Sequence, residues 1–577
     1  MILGCTQDDT FLDFSKYTLI ESEQFRLGCI VGNDVNIFRD SDRNLIFSAQ
    51  GRIDNSKELQ PFLGACCSGP EYIWKAFLTW GKNCPARLIG DWLFAAYDIL
   101  SGELFLARDQ NGKCELLYRE LNGDILFSSS IRPLIQTARE LNHHFTLNLL
   151  ASWNYKGSVR ETIFKDVFRL SPGHTLTYKS GKIKIEQYWF PENVPLKYYS
   201  NLQDYSDELL EITQEAIRCR IPANLKVGCM LSGGFDSTTV TSLTAELLGN
   251  NPLLTFTHVP LYNKPYDSDP KSFGDESEHA KTVVESKSNI RSFLVNSANV
   301  SPIDGIEMFV RNFNSFIPNA GNAFWIMDIH QLAANMGIEI LFSAGTGNVA
   351  LSYRGLIDEL PMKPGYKAFK RKIIKPLVRN LVEYSRFSNR LKTAFLNKSL
   401  IDSYHIKKDV LINRRSLHSV FKTSQEEILD LVYKNFKNRL INNDSILNIQ
   451  KLDPTADIRI IEHTLAIPNH FFFNEKKEGR QVIRKMMAGR LPDKVLNEHR
   501  RGSQSSDIFL RFVSEIDRAE SYAQRFEKNP AFCHFIDTNK LKKSIQLVRA
   551  HKLTNALIIN NILKSLTLGV FLEHNNF

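Results

Sequence analysis

The sequence predicts a multidomain chain, α/β and α+β in class. A β-rich sandwich over residues 1–190 precedes a domain over 191–577 that begins as a parallel sheet and ends in a helical half. Three observations predict this. A length of 577 residues exceeds what one hydrophobic core fills. Up to about residue 190, short apolar runs alternate with Gly, Asn and Asp turns. From Leu225 onward, apolar strands alternate with helical segments, the pattern of a parallel sheet with helices on both faces.

In the first domain the runs FRLGCIVG, NLIFSAQG, WLFAAYD, GELFLARD, DILFSSS, HTLTYKSG and KIKIEQYW read as antiparallel strands, with helices at 70–81 and 145–154. PENVPLKYYSN (191–201) is a tether leading to a helix at 202–220. The second domain then reads strand LKVGCML, a helix opening near Asp236, strand 252–260, helix 275–287, strand 291–297, helix 321–336 and strand 338–345. After about residue 356 the pattern is helical.

Hydrophobic residues make up 43% and charged residues 23%, the composition of a globular protein. No run reaches the roughly 18–20 uninterrupted apolar residues of a membrane helix. The best candidate, LIGDWLFAAYDIL (88–100), is broken by Asp91 and Asp98. The start, MILGCTQDDT, lacks the basic and apolar regions of a secretory signal, so a cytoplasmic enzyme is expected. The nine cysteines form no CxxC and are expected to be reduced thiols. The net charge of +9 is uneven, since residues 361–420 carry fifteen Lys and Arg against three acidic residues. That stretch reads either as a solvated helical face or as a docking surface for an acidic partner.

The chemistry sits in LSGGFDSTTV (231–240), between a strand and a helix. Gly233 and Gly234 allow a tight turn whose N–H groups can approach a phosphate closely. The helix start adds unpaired N–H groups and a favourable dipole. Ser232 and Ser237 supply hydroxyls, with Leu231 and Phe235 flanking them. Asp236 beside a polyanion makes sense if Mg²⁺ lies between them; the plain structural alternative is a Gly-Gly turn with Asp236 as helix N-cap. No GxxxxGK[ST] is present, and GTGNVA (345–350), which fits GxGxxA, lacks the acidic partner of a dinucleotide fold.

SGGFDS resembles the pyrophosphate loop of the asparagine-synthetase-like ATP pyrophosphatases. IGDWLFAAYD (89–98), LFLARDQNGKCELLY (104–118) and ILFSSSIRPL (125–134) resemble the glutamine-hydrolysing domain of class B asparagine synthetases. FSAGTGN (342–348), LDPTADIRIIEHTLAIP (452–468) and EGRQVIRKMMAGRLPDKVLNEHRRGSQ (478–504) resemble their synthetase half. The resemblance implies an Ntn-type glutaminase-like sandwich followed by an adenine-nucleotide α-hydrolase-like (PP-loop) domain, with ATP and Mg²⁺ as cofactors.

The departures are informative. The family's cysteine at position 2 is Ile2, and its glutamine-binding segment is replaced by Gly51-Arg52-Ile53-Asp54-Asn55. The first domain is therefore expected to be a degenerate scaffold, and the amine must come from the substrate. RIDNSKEL (52–59), FGDESEHA (273–280), GNVALSYRG (347–355) and DPTADIR (453–459) look most like lasso-peptide macrolactam cyclases. This implies a core-peptide substrate, a leader-processing protease as partner, no nucleic acid, and, through 361–420, contact with the protease or with an anionic membrane surface near an exporter. β-Lactam-type or ammonia-dependent synthetases, and an inactive nucleotide- or peptide-binding scaffold, are the alternatives.

By resemblance the second magnesium position falls on Asn348 and the neighbouring family acid on Gly345. Adenine is expected near Thr257, His258 and Val259. The adenylate's cation is expected from Arg500 or Arg501, with Glu462 as a candidate base.

Overall fold

The computed structural model describes the chain except at residues 7–17, 23–24, 30–34, 137–139, 152–157, 222–225, 263–271, 316, 318, 361–390, 392, 407–420, 422, 439–444 and 447–448. Most of the basic stretch 361–420 therefore lies outside the described residues. The chain forms two compact units: Met1–Thr146 with Gly157–Val194 and Phe436–Asp444, and Leu147–Lys156 with Pro195–Asn435 and Ser445–Phe577. The units differ from a single cut at residue 190 by two excursions. Leu150 belongs to the second unit, where its carbonyl accepts a 3.0 Å bond from the buried Lys564 ammonium. Phe436 belongs to the first, its ring 6.1 Å from Trp189.

The first unit contains two antiparallel sheets. One runs Phe168–Arg169, Leu117–Leu121, Asp124–Ser128, Ile2–Thr6, Phe25–Cys29, Thr18–Ser22. The other runs Lys182–Gln187, His174–Lys179, Glu103–Arg108, Gly90–Asp98, Leu45–Ile53, Val35–Asp40. Residues of both sheets, among them Ile2, Phe25, Leu106, Phe127 and Leu176, share one core. Side chains alternate along a strand, so Leu93, Ala95 and Tyr97 enter that core. Trp92, Phe94 and Ala96 enter a second one, shared with buried side chains of the helices Ser56–Leu63 and Gly69–Trp80. Burial on both faces explains why Trp92–Tyr97 is apolar at every position: it belongs to a central strand.

The second unit holds a sheet ordered Ile290–Val295, Leu253–His258, Val227–Met230, Ile340–Phe342, Ile449–Leu452, Ser445–Ile446. The first five strands are parallel to their neighbours. Ile449–Leu452 was not anticipated, because it lies where the sequence reads as helical and is only four residues long. Chain order runs outward in one direction from Val227–Met230 and then returns to its other side with Ile340–Phe342, so the switch point lies between these two strands. Ligands of open α/β sheets bind there, beyond the carboxyl ends of the strands.

Among the described residues one helix, Ala556–His574, is long and apolar enough to cross a membrane, and 78% of its most apolar window is buried. It is a core helix with Asn560, Asn561 and Lys564 set among Ile and Leu.

Candidate active site

Two loops leave the sheet at the switch point, 231–234 after Val227–Met230 and 343–348 after Ile340–Phe342. Together they wall a cavity of about 430 Å³. In the first loop the Ser232 N–H donates to Ser237 Oγ at 3.0 Å, and the two hydroxyls lie 2.7 Å apart. Gly234 N–H donates to Ser232 Oγ at 3.3 Å. The hydroxyls thus hold the turn that starts the helix Phe235–Leu248. The N-cap of that helix is Gly234, with no side-chain capping bond, so Asp236 is not the cap.

Asp236 is buried, lines the cavity, and has an Oδ1 with no hydrogen-bond partner. Burial pushes its carboxyl up to about 6, with Asp453 adding to the rise while the nearby Ser352 hydroxyl and Arg480 oppose it. The second loop closes tightly over it: a Cβ on Gly347 would stand 2.2 Å from Asp236 Cγ. Glycine at 347 is therefore a packing requirement of the first loop. Asn348 lines the same cavity, and its Oδ1 accepts a 3.1 Å bond from Arg480 Nη2. Gly345 lines it too, held beside Asp453, whose Oδ2 accepts from Thr346 N at 2.9 Å.

The lining also has an apolar and aromatic part. Met230, Phe256, Ile326 and Ile329 form it, and His258 stacks on Trp325 with centroids 5.2 Å apart. Burial lowers His258 to about 4, so the ring is neutral near pH 7. Its Nδ1 lies 3.1 Å from Val295 O, and its Nε2 has no partner. A neutral ring donating from Nδ1 leaves Nε2 as an acceptor. Thr257 is fully buried in the strand, and Val259 N donates to Val295 O. Neither contributes to the lining, which takes Phe256 and His258 from this strand.

The remaining expected residues are elsewhere. Arg500 is tied to Glu498 by a 2.8 Å contact and lies over the Phe273 ring, outside the lining. Arg501 is exposed, in the short strand Arg501–Gly502 that pairs with Ser272–Phe273. Glu462 sits half-buried in the helix Ile458–Ala466 and does not line the cavity.

Two ionisable lining residues were missed by sequence reasoning. Lys451 enters on the unanticipated strand Ile449–Leu452. Glu276 precedes the helix Ser277–Glu285 and is raised to about 7, mainly by burial, with Asp275 adding and the facing Gly233 N–H opposing. An acidic residue at a helix start is the ordinary cap-and-dipole pattern, which is why DESEHA gave no separate signal.

A cation fits the first loop, because a buried carboxylate oxygen without a partner is the donor a hard divalent ion takes. Asp236 offers that oxygen, whereas Asn348 Oδ1 is already engaged by a guanidinium. The cavity therefore combines a phosphate-type loop, a carboxylate, a lysine and a flat aromatic part with an open acceptor.

Residues 208–552 match the family model described as asparagine synthase, and residues 38–189 match the glutamine amidotransferase domain. Asparagine synthetase (glutamine-hydrolyzing) 3 of Bacillus subtilis is 26% identical over 218 residues, 36% of this chain and 35% of that protein. Asparagine synthetase (glutamine-hydrolyzing) 2 of the same organism is 29% identical over 278 residues, 42% of this chain and 36% of that protein. The amidase chyE of Penicillium rubens is 27% identical over 225 residues, 37% and 32% respectively. The chain thus spans well under half the length of these curated relatives.

Proposed function

The chain belongs to the asparagine synthase family, and we propose that it is an ATP-dependent, AMP-forming carbon–nitrogen ligase that closes a core peptide into a macrolactam. The observation that carries the ligase reading is the cavity at the sheet's switch point, lined both by the Ser232–Ser237 loop and by the His258–Trp325 stack.

An oxygen of the substrate's Asp or Glu side chain attacks the α-phosphorus of ATP. The bond to the β-phosphate oxygen breaks, and pyrophosphate departs as the acyl-adenylate forms. The loop N–H groups and hydroxyls bind the departing pyrophosphate, and preorganised donors of this kind contribute about 3–4 kcal/mol each. Asp236 would hold Mg²⁺, which supplies charge neutralisation on the phosphate oxygens. Lys451 lines the cavity and is the cation assigned here to the adenylate phosphate. The stacked His258 and Trp325 receive the adenine, with His258 Nε2 accepting from its amino group. An amine then attacks the acyl carbon, a C–N bond forms, and AMP leaves.

The first unit supports an amine supplied by the substrate. Ile2 is fully buried in the sandwich core. Arg52 bonds Asp54 at 2.6 Å and Asp91 at 2.8 Å, filling the replaced segment with an internal ion pair. The peptide substrate, its leader-processing protease, and a docking role for 361–420 toward that protease or an exporter-side membrane are parts of the same proposal, as is a cytoplasmic location. The glutamine amidotransferase match over 38–189 favours a second reading, synthesis of a small amide from ammonia.

The test combines ATP, Mg²⁺ and a core peptide that carries a free N-terminal amine and an Asp or Glu side chain. Loss of one water mass with AMP formation supports the cyclase. AMP formation with aspartate and ammonia instead supports the second reading. Absence of turnover, with Asp236→Ala unchanged in nucleotide binding, removes both.

A further inference from the structure

A second cavity of about 360 Å³ adjoins the nucleotide cavity, and Glu276, Asn322, Ser503 and Gln504 line both. Its far wall is formed by Asn319, Gly321, Ser505, Ile508, Ala556 and Asn560. The wall is built, not incidental. Asn322 Nδ2 donates to Gln504 Oε1 at 2.7 Å, and Ser505 Oγ bonds both Gly321 O at 3.0 Å and Asn322 Oδ1 at 2.9 Å. Asn560 Oδ1 accepts from Gly321 N at 3.0 Å. Its amide nitrogen has no partner, although the residue is only 3% exposed. A buried amide donor left unmet costs about 1–3 kcal/mol, whereas the neighbouring Asn561 amide and Lys564 ammonium of the same core helix do find partners. A donor at that position is explained by a ligand oxygen.

Glu276 is the ionisable group at the junction. Its carboxylate faces the Gly233 N–H of the phosphate loop. Gly502 packs against it so closely that a Cβ at 502 would lie 1.8 Å from Glu276 Oε1. Asn322, Ser503 and Gln504, which share that junction, are neutral.

We propose that the second cavity is the amine-side subsite of the ligase, binding a peptide carbonyl or carboxamide through Asn560, and that Glu276 takes the proton of the attacking amine. This rests on the ligase reading above. Pyrophosphate oxygens compete for the Gly233 N–H, turning the Glu276 carboxylate toward the second cavity. The amine nitrogen bonds the acyl carbon, the acyl–phosphate C–O bond breaks, AMP leaves with that electron pair, and the amine proton passes to the carboxylate. A carboxyl raised to about 7 is matched to this role near neutral pH.

The test separates the two half-reactions with the core peptide as probe. Adenylation is read as pyrophosphate–ATP exchange, and closure as loss of one water mass. Glu276→Gln keeps an acceptor for the Gly233 N–H. It is expected to slow closure about 100-fold or more, with a much smaller loss of exchange and with free AMP accumulating by hydrolysis. Asn560→Leu is expected to raise the KM for peptide about threefold to tenfold without moving that for ATP. Should Asn560→Leu fail to fold, Gly502→Ala, which displaces the carboxylate from the other side, is expected to reproduce the Glu276→Gln split. Equal loss of both half-reactions, or full closure by Glu276→Gln, overturns the subsite. A wild-type enzyme without exchange overturns the ligase reading itself, and the subsite with it.

Discussion

Two segments of this protein stand where a strand hands over to a helix, and they treat their polar groups in opposite ways. In the first unit, Gly51–Asn55 takes in the end of the strand Leu45–Ile53 and the two residues before the helix Ser56–Leu63. Arg52 is clasped by Asp54 and Asp91, while Asn55 accepts from Ile89 N and donates to Arg87 O, both at 3.0 Å. In the second unit, the loop between Val227–Met230 and Phe235–Leu248 leaves Asp236 Oδ1 buried without a partner, and His258 Nε2 in the same cavity is also unmet. A segment whose polar atoms satisfy one another is finished as protein. One whose buried atoms stay unmet is shaped for something that arrives.

That contrast can be broken most directly at Asp236. Asp236→Asn is expected to lower pyrophosphate–ATP exchange by about 10²–10³-fold, the scale of losing a preorganised electrostatic group. Exchange near the wild-type rate would place the nucleotide elsewhere.

Arg52→Met probes the other side. It removes the guanidinium that Asp54, whose side chain is wholly buried, shares with Asp91. Breaking such a pair costs about 3 kcal/mol, discounted somewhat because Arg52 is one-fifth exposed. Denaturation of the first unit should begin earlier in urea while exchange by the folded enzyme is unaffected. Added glutamine should yield no ammonia from wild type or variant, and glutamate release would show that the segment still works.

Gly347→Ala sharpens the comparison at the level of packing. The new Cβ meets Asp236 Cγ, and overpacking of this kind costs about 1–3 kcal/mol. A lower Tm together with a higher Mg²⁺ requirement is expected, and an unchanged Mg²⁺ titration would separate the second loop from the carboxylate.

The smallest effect concerns Glu276 and pH. Its folded value of about 7 lies above the ordinary 4.5. Between those values the folded protein retains a proton the unfolded chain has lost, so stability falls as pH rises through that window. Glu276→Gln cannot ionise, so its Tm relative to wild type should be higher at about pH 8 than at about pH 4. Parallel Tm curves would show that burial does not raise this group.

The loop 232–237 was legible as a candidate site because its groups are contiguous: two glycines, two hydroxyls and a carboxylate in a six-residue span just past a strand. The N-terminal strands were legible for a similar reason, since alternation is local. Lys451 was hidden because IQKL is too short to carry a period, and a parallel strand obtains its hydrogen bonds from a neighbour remote in sequence. Asn560 was hidden by its surroundings, as an amide in an apolar helix gives no pattern of its own. Arg500 illustrates the opposite error. A cation in the right neighbourhood of the sequence is in fact tied to Glu498, outside the cavity lining.

The short parallel pairing of Ser272–Phe273 with Arg501–Gly502 has a consequence in time. With Ser503 N donating to Phe273 O and Ser506 Oγ to Gly274 O, it joins segments 232 residues apart. Contacts of such long sequence separation form late, after the intervening chain has surrendered its freedom. Glu276 and Gly502 meet at this junction, so the loop 232–237, built from neighbours, is expected to take shape early in refolding. The acid beside it is set in place only when the last long-range clasp closes.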